Sequence, residues 1–327
     1  MAKRFALIGA GVMGRNHARV LSSLAGAEFV AVIDPRGVSL RLADSVEVAT
    51  NVADLSALDV DAAIVATPTI THEEISLELA GLGISALVEK PIAETPASAK
   101  KMASEFLKKD LIGAVGHIER FNPAIRELKR RLAAREIGEV YQIATRRQGS
   151  FPHRIGDVGV AKDLATHDID LTSWVAGSAY DHIYGQVAHK SGRLHEDMIV
   201  ATGKLQNGIL VNHVVNWLSP MKERMVIVTG DKGTFVANTL TGDLTLHENG
   251  VEEIDWESFA TFRGVSEGNV TRFAFSKKEP LIAELEGFRD AVTYGGSDFV
   301  SFADGLQALQ VAEAIVQSAE TGQRVTF

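Results

Sequence analysis

Residues 4–24 read RFALIGAGVMGRNHARVLSSL. The apolar run Arg4 to Ile8 is predicted to be a strand, and it passes directly into Gly9-Ala10-Gly11-Val12-Met13-Gly14. From Arg15 to Leu24 the pattern is helical. A GxGxxG between a strand and a helix allows a tight turn and brings backbone N–H groups at a helix N-terminus close to a pyrophosphate. Gly9, Gly11, Val12, Met13 and Gly14 are therefore candidate cofactor-binding residues. The next predicted strand, Glu28 to Asp34 (EFVAVID), ends in an acid 20 residues after Gly14. A carboxylate there accepts hydrogen bonds from ribose hydroxyls. Its charge repels a 2′-phosphate, so Asp34 predicts NAD, with Arg36 leaving NADP as the lesser reading.

Farther along, Asp61 to Ala66, Ala86 to Glu89 and Ile112 to Gly116 are short apolar strands with helical stretches between them, which implies a parallel, doubly wound sheet over residues 1–120. Ligands of such sheets lie at the carboxyl ends of the strands. Thr67, Pro68 and His72, after one strand, and Glu89 and Lys90, at the end of the next, join the candidate cofactor set. From Tyr141 onward, Val140–Thr145, His182–Ala188, Ile199–Leu205, Ile209–Trp217, Arg224–Val228 and Thr234–Ala237 are β-rich. Turns at Asn207-Gly208, Gly230-Asp231-Lys232-Gly233 and Asn249-Gly250 favour hairpins. Residues 121–327 are thus expected to form an α+β domain with a large, mainly antiparallel open sheet. Helices are expected at 122–137 and 163–175, and at 279–294 and 301–321, the last two packed on one sheet face.

The chain has 327 residues, of which 46% are hydrophobic, and such a length suggests two domains. With 33 basic and 42 acidic residues its net charge is −9, which excludes general attraction to nucleic acid or anionic membranes. Zero cysteines exclude disulfides, thiolate metal sites and a cysteine nucleophile, and the expected compartment is the cytoplasm. The stretch Leu205 to Met221 lacks charge but contains Asn, Gly, His and Pro, so it fails as a membrane span. The N-terminus lacks the apolar core of a signal peptide.

Taken in order, GAGVMGRNHARVL, VIDP, ATPTITH, VEKPIA, VGHIERFNP and KDLATHDIDL resemble the Gfo/Idh/MocA oxidoreductase family over nearly the whole chain. The resemblance implies an N-terminal Rossmann domain and a C-terminal α/β domain that commonly mediates oligomers, here a homodimer or homotetramer. It also implies a catalytic lysine in the EKP motif, Lys90, and a helical Asp-x-x-x-His pair, Asp163 and His167. On a helix these two are i and i+4, and His167 and Asp170 are i and i+3, so a general base and orienting carboxylates can share a face. Asp163 can alternatively cap the helix. Metal ligation is the rival reading; His195-Glu196-Asp197 could contribute, but no clear third and fourth ligand is present, and no metal is expected.

GHIERFNPAIRELKR, RRQGSFPHRIGDVGVAKDLATHDIDL and VNWLSPMKERMVIVTGDKGTF are similar to the branch of that family that oxidises the 3-hydroxyl of UDP-N-acetylglucosamine. Within them Arg120, Asn122, Arg147, Arg154, Lys222 and Arg224 supply donors for a diphosphate, and Asp163 and His167 would meet the sugar. The expected activity is NAD-dependent oxidation of a sugar hydroxyl, His167 taking the proton and Lys90 stabilising the alkoxide. The alternatives are an inositol or aldose-type polyol dehydrogenase, and a non-catalytic dinucleotide-binding regulator. The presence of both Lys90 and His167 argues against the regulator.

Overall fold

The apolar run that opens the chain forms β1 (Lys3–Ile8) at the centre of a parallel sheet. The computed structural model describes residues 2–152, 158–250 and 266–327. Beside β1 the sheet contains β2 (Ala27–Ile33), β3 (Glu47–Ala49), β4 (Ala62–Val65), β5 (Ser85–Val88) and β6 (Gly113–Val115), in the order β3-β2-β1-β4-β5-β6. Every residue of β4 and β5 is buried, as expected of parallel strands covered on both faces. The strand order reverses between β1 and β4, so the connections after these strands leave toward opposite faces and open a crevice at their carboxyl ends.

The α-helices among the described residues are α1 (Val12–Leu21), α2 (His72–Gly81), α3 (Pro96–Lys108), α4 (Pro123–Ala133), α5 (Thr166–Ala176), α6 (Pro280–Tyr294) and α7 (Phe302–Thr321). None is long and apolar enough to cross a membrane. The chain divides into two units, residues 1–121 with 278–310 and residues 122–277 with 311–327. In the first unit, Leu79 of α2 and Met102 and Phe106 of α3 cover one face of the sheet. Ala18 and Leu21 of α1 cover the other.

Residues 279–294, expected within the 121–327 domain and on one sheet face, pack on a face of the first sheet and belong to the first unit. Leu281, Leu285 and Phe288, spaced four and three apart along α6, form an apolar stripe that joins the core under β1. Phe288 sits edge-on to Phe5 at 5.9 Å. Of α7, only residues 311–321 belong to the second unit, where the Gly185 N–H donates to the Ser318 hydroxyl at 3.0 Å.

The second unit is built on β7 (Val140–Ser150), β8 (Tyr180–Ala188), β9 (Met198–Leu205), β10 (Leu210–Asn216), β11 (Leu218–Gly230), β12 (Gly233–Asn238), β13 (Asp243–Gly250), β14 (Ser266–Arg272) and β15 (Val325–Thr326). The order is β14-β13-β12-β11-β7-β10-β9-β8-β15, antiparallel except for the β7–β10 pair. Asn207-Gly208 turns between β9 and β10, with Gly208 at φ +94°, a conformation that favours glycine. Asn249-Gly250 is not the expected hairpin turn: both residues lie in β13 and pair with β14. Along β9 and β10, Ile199, Ala201, Val211 and Val215 are buried while Val200 and Leu210 are 48% and 55% exposed, so within this unit one face of the sheet packs and the other is open.

Candidate active site

The glycine loop is shaped for close backbone approach. Gly9 has φ +95°, and a Cβ there would stand 2.5 Å from the Ala66 carbonyl oxygen. A Cβ on Gly14 would stand 2.0 Å from the Gly9 oxygen, whereas a Cβ on Gly11 would meet nothing within 4 Å among the described residues. Gly11 is the N-cap of α1 and offers no side chain to cap it, and the first turn of the helix holds no acid. Its N-terminal N–H groups, at Val12, Met13 and Gly14, therefore form an open cradle whose partial positive charge suits a pyrophosphate. Asp34 completes the arrangement. Its Oδ2 accepts the Ala10 N–H and its Oδ1 the Arg36 N–H, both at 2.9 Å. Burial acts to raise this carboxyl, but those N–H groups and the Arg36 charge outweigh it and hold the group below the usual carboxylate range. Asp34 is thus an anion with lone pairs left for ribose hydroxyls. These residues fit an NAD molecule.

At the neighbouring strand ends, Pro68 is exposed and Thr67 half-buried. His72 corrects expectation, because it is 1% exposed and lies beneath the loops. Its Nε2 is 3.0 Å from the Thr67 carbonyl oxygen and its Nδ1 3.0 Å from that of Pro91. Burial depresses the basicity of this imidazole, against the pull of the two carbonyls. His72 supports the two loops from within. Glu89 is likewise turned inward, its Oε1 2.8 Å from His17 Nε2 of α1. Lys90 follows it, half-buried at the end of β5. His17 was not singled out in the sequence, although its place three residues after Gly14 on a helix face that is otherwise apolar was a signal.

In the second unit, a π-helical turn, Ala161–Ala165, leads into α5 and carries Asp163. The spacing from Asp163 to His167 therefore spans a π turn joined to an α-helix rather than a plain α-helical i, i+4 step. Such turns recur at functional sites. Asp163, His167, Asp168 and Asp170 are 2%, 8%, 1% and 3% exposed, a density of buried titratable groups that a structural helix rarely carries. Asp163 does not provide the cap. Glu196 does: its Oε1 accepts the Ala161 N–H at 2.9 Å. Asp197 accepts the N–H groups of Lys190 and Ser191 at 2.8 and 2.7 Å. In the segment considered as a source of metal ligands, Glu196 Oε1 and Asp197 Oδ2 thus each bond backbone N–H groups.

Three expected diphosphate donors have other work. Arg147 is 1% exposed, and its Nε and Nη2 are each 2.8 Å from Asp168 Oδ1. Arg120, 7% exposed, pairs with Asp304 at 3.2 Å. Burial acts to raise that aspartate, but the Arg120 charge and bonds from Ser301 hold it low. Asn122 is the N-cap of α4, accepting the Ala124 N–H at 3.1 Å and donating to the Thr239 carbonyl at 2.9 Å. Arg154 lies outside the described residues. Lys222 is exposed and Arg224 half-buried on β11.

A glycine cradle at the switch point of a parallel sheet, with an anionic Asp34 beside it, defines an NAD-binding Rossmann protein. The family description "Oxidoreductase family, NAD-binding Rossmann fold" matches residues 3–117, and "Oxidoreductase family, C-terminal alpha/beta domain" matches residues 129–327. The chain belongs to the Gfo/Idh/MocA family and is an enzyme acting on a CH–OH group. It is 29% identical to inositol 2-dehydrogenase 1 of Saccharopolyspora erythraea, over 99% of this chain and 96% of that one. It is 28% identical to UDP-N-acetylglucosamine 3-dehydrogenase of Acidithiobacillus ferrooxidans, over 96% and 95%. The solved structure of the latter enzyme superposes with a TM-score of 0.81 at 23% identity, covering 98% of this chain and 99% of that one, a likeness of fold.

Proposed function

We propose that this enzyme oxidises a secondary hydroxyl of a sugar with NAD, and that the position oxidised is C3 of UDP-N-acetylglucosamine. The observation that carries the oxidation is the open cradle at Gly11 with Asp34 beside it and Lys90 at the end of β5, two strands along the same sheet. NAD, when bound, supplies the hydride acceptor. Lys90 stabilises the oxyanion that develops as hydride leaves the carbinol carbon. His167 accepts the hydroxyl proton, and Asp163 orients it or binds a neighbouring hydroxyl. Alcohol and NAD thus become ketone, NADH and one proton. The sugar nucleotide rests on the GHIERFNP and RRQGSFPH motifs and on the full-length similarity to a UDP-N-acetylglucosamine 3-dehydrogenase.

With Arg147, Arg120 and Asn122 engaged inside the protein, the diphosphate falls to Lys222 and Arg224 of β11 and to Arg154. Lys222 lies against Gly149, in the segment that leads to Arg154. The same engagement of three donors, with the similarity to an inositol 2-dehydrogenase, favours a second reading in which the substrate is a free cyclitol. Incubation with NAD, a carbonyl trap and either UDP-N-acetylglucosamine or myo-inositol separates the two by which one forms NADH. The trap is required because oxidation of an alcohol by NAD runs uphill near neutral pH. The open face of the second sheet further suggests a homodimer or homotetramer, and the absence of cysteine suits the cytoplasm.

A further inference from the structure

Three buried ionisable side chains meet behind Lys90, all in the first unit. His17 of α1 is 0% exposed, Glu89 at the end of β5 is 9% and Glu284 of α6 is 2%. Glu89 is their centre. Its Oε1 is 2.8 Å from His17 Nε2, its Oε2 accepts the backbone N–H of Lys90 at 3.3 Å, and a Cβ on Gly116 would stand 3.2 Å from that same oxygen. Burial acts to raise the Glu89 carboxyl, but the His17 bond and the charges of His17 and Lys90 outweigh it, so it is held below the usual range. Glu284 is the reverse case. Burial first, and then the Glu89 charge, push its carboxyl well above the usual range, and its Oε1 has no hydrogen-bond partner among the described residues. The two buried carboxyls are thus driven in opposite directions, Glu89 down and Glu284 up, and it is Glu89 that meets the Lys90 N–H.

We propose that His17 and Glu89 are positioning residues for Lys90, tying the backbone of the reacting lysine to α1, the helix whose N-terminus receives the cofactor. His72 holds the chain on the other side of Lys90 through the Pro91 carbonyl. The lysine is thereby fixed from both sides by buried imidazoles on the two helices that follow β1 and β4. A loosened tether displaces the ammonium from the oxyanion, and a misplacement of about 1 Å costs on the order of a hundredfold in rate. This assignment rests on the reading of Lys90 given above.

The test uses His17→Leu, which removes the bond to Glu89, and His17→Gln, which restores an N–H donor. Lys90→Met and the Lys90→Met, His17→Leu double variant complete the set. Two readouts are taken: amide exchange of the peptide containing Lys90 in cofactor-free protein, and kcat per NADH-binding site in the trapped assay. His17→Leu is expected to speed the exchange and lower kcat about tenfold or more, with KM for NAD within about threefold. His17→Gln recovers most of both, and the double variant is no slower than Lys90→Met alone. Unchanged exchange, or losses that add in the double variant, overturns the positioning role while leaving Lys90 catalytic. Near-normal turnover by Lys90→Met instead overturns the reading of Lys90, and the exchange result then stands alone as the measure of the tether. Should His17→Leu not fold, Glu89→Gln is scored on the same readouts.

Discussion

Arg147 and Asp168 meet inside the second unit, two nitrogens of the guanidinium each 2.8 Å from one carboxylate oxygen and both side chains 2% exposed. The pair fastens β7 to α5, the helix that carries His167. Removing one partner of a buried pair leaves the other charged and desolvated, so Arg147→Ala is expected to lose about 3–5 kcal/mol of stability in urea unfolding. A loss under about 1 kcal/mol, the scale of an exposed pair, contradicts a structural role.

Asp34→Ala is expected to weaken NAD binding while improving the ratio of NADP to NAD affinity, because the carboxylate both serves the ribose hydroxyls and repels a 2′-phosphate. The Arg36 side chain, 80% exposed and 3.6 Å from Asp34, is near enough to take over the phosphate. Calorimetric titration with both cofactors reads this directly. Tighter binding of NADP than NAD by the unaltered protein contradicts it.

Much of the first unit was legible because periodicity and turn chemistry are local. β1, the glycine loop, Asp34 and the strand ends before Thr67 and Lys90 all follow from runs of a few residues. β3 was missed because Glu47–Ala49 is a short, partly polar edge strand, and α6 was grouped with the second domain because an apolar stripe does not name its partner. Side-chain pairing is equally non-local. Arg147 reads as a free cation until Asp168, 21 residues away, is seen beside it, and Glu284 gains meaning only from Glu89. Asn122 is different, since Asn-Pro before a helical pattern is an N-cap signal that could have been read.

Glu284→Gln is expected to change how stability depends on pH. The folded carboxyl titrates well above its ordinary value of 4.5, through burial and then the adjacent Glu89 charge, itself faced by His17 and Lys90. The native state therefore holds a proton that the unfolded chain releases above that ordinary value, and stability falls as pH rises toward the folded pKa. Gln carries no such proton. The melting temperature of the variant relative to wild type should rise between pH 5 and pH 8, as thermal scans at about these two values would show. A difference independent of pH argues that Glu284 is ionised in the fold.

Light scattering at micromolar concentration is expected to return a multiple of the 35.2 kDa chain mass. Val200→Glu, on the open face of the second sheet, should shift the distribution toward the single chain without loss of helix signal. A monomeric wild type contradicts assembly and leaves the chemistry untouched.

Turnover of Lys90→Met and His167→Ala beside wild type, with NAD, UDP-N-acetylglucosamine and a carbonyl trap, tests most directly whether these residues perform the oxidation. Both variants should bind NADH as wild type does and lose about a hundredfold or more in kcat. NADH formation at near the wild-type rate by either variant contradicts the role assigned to that residue.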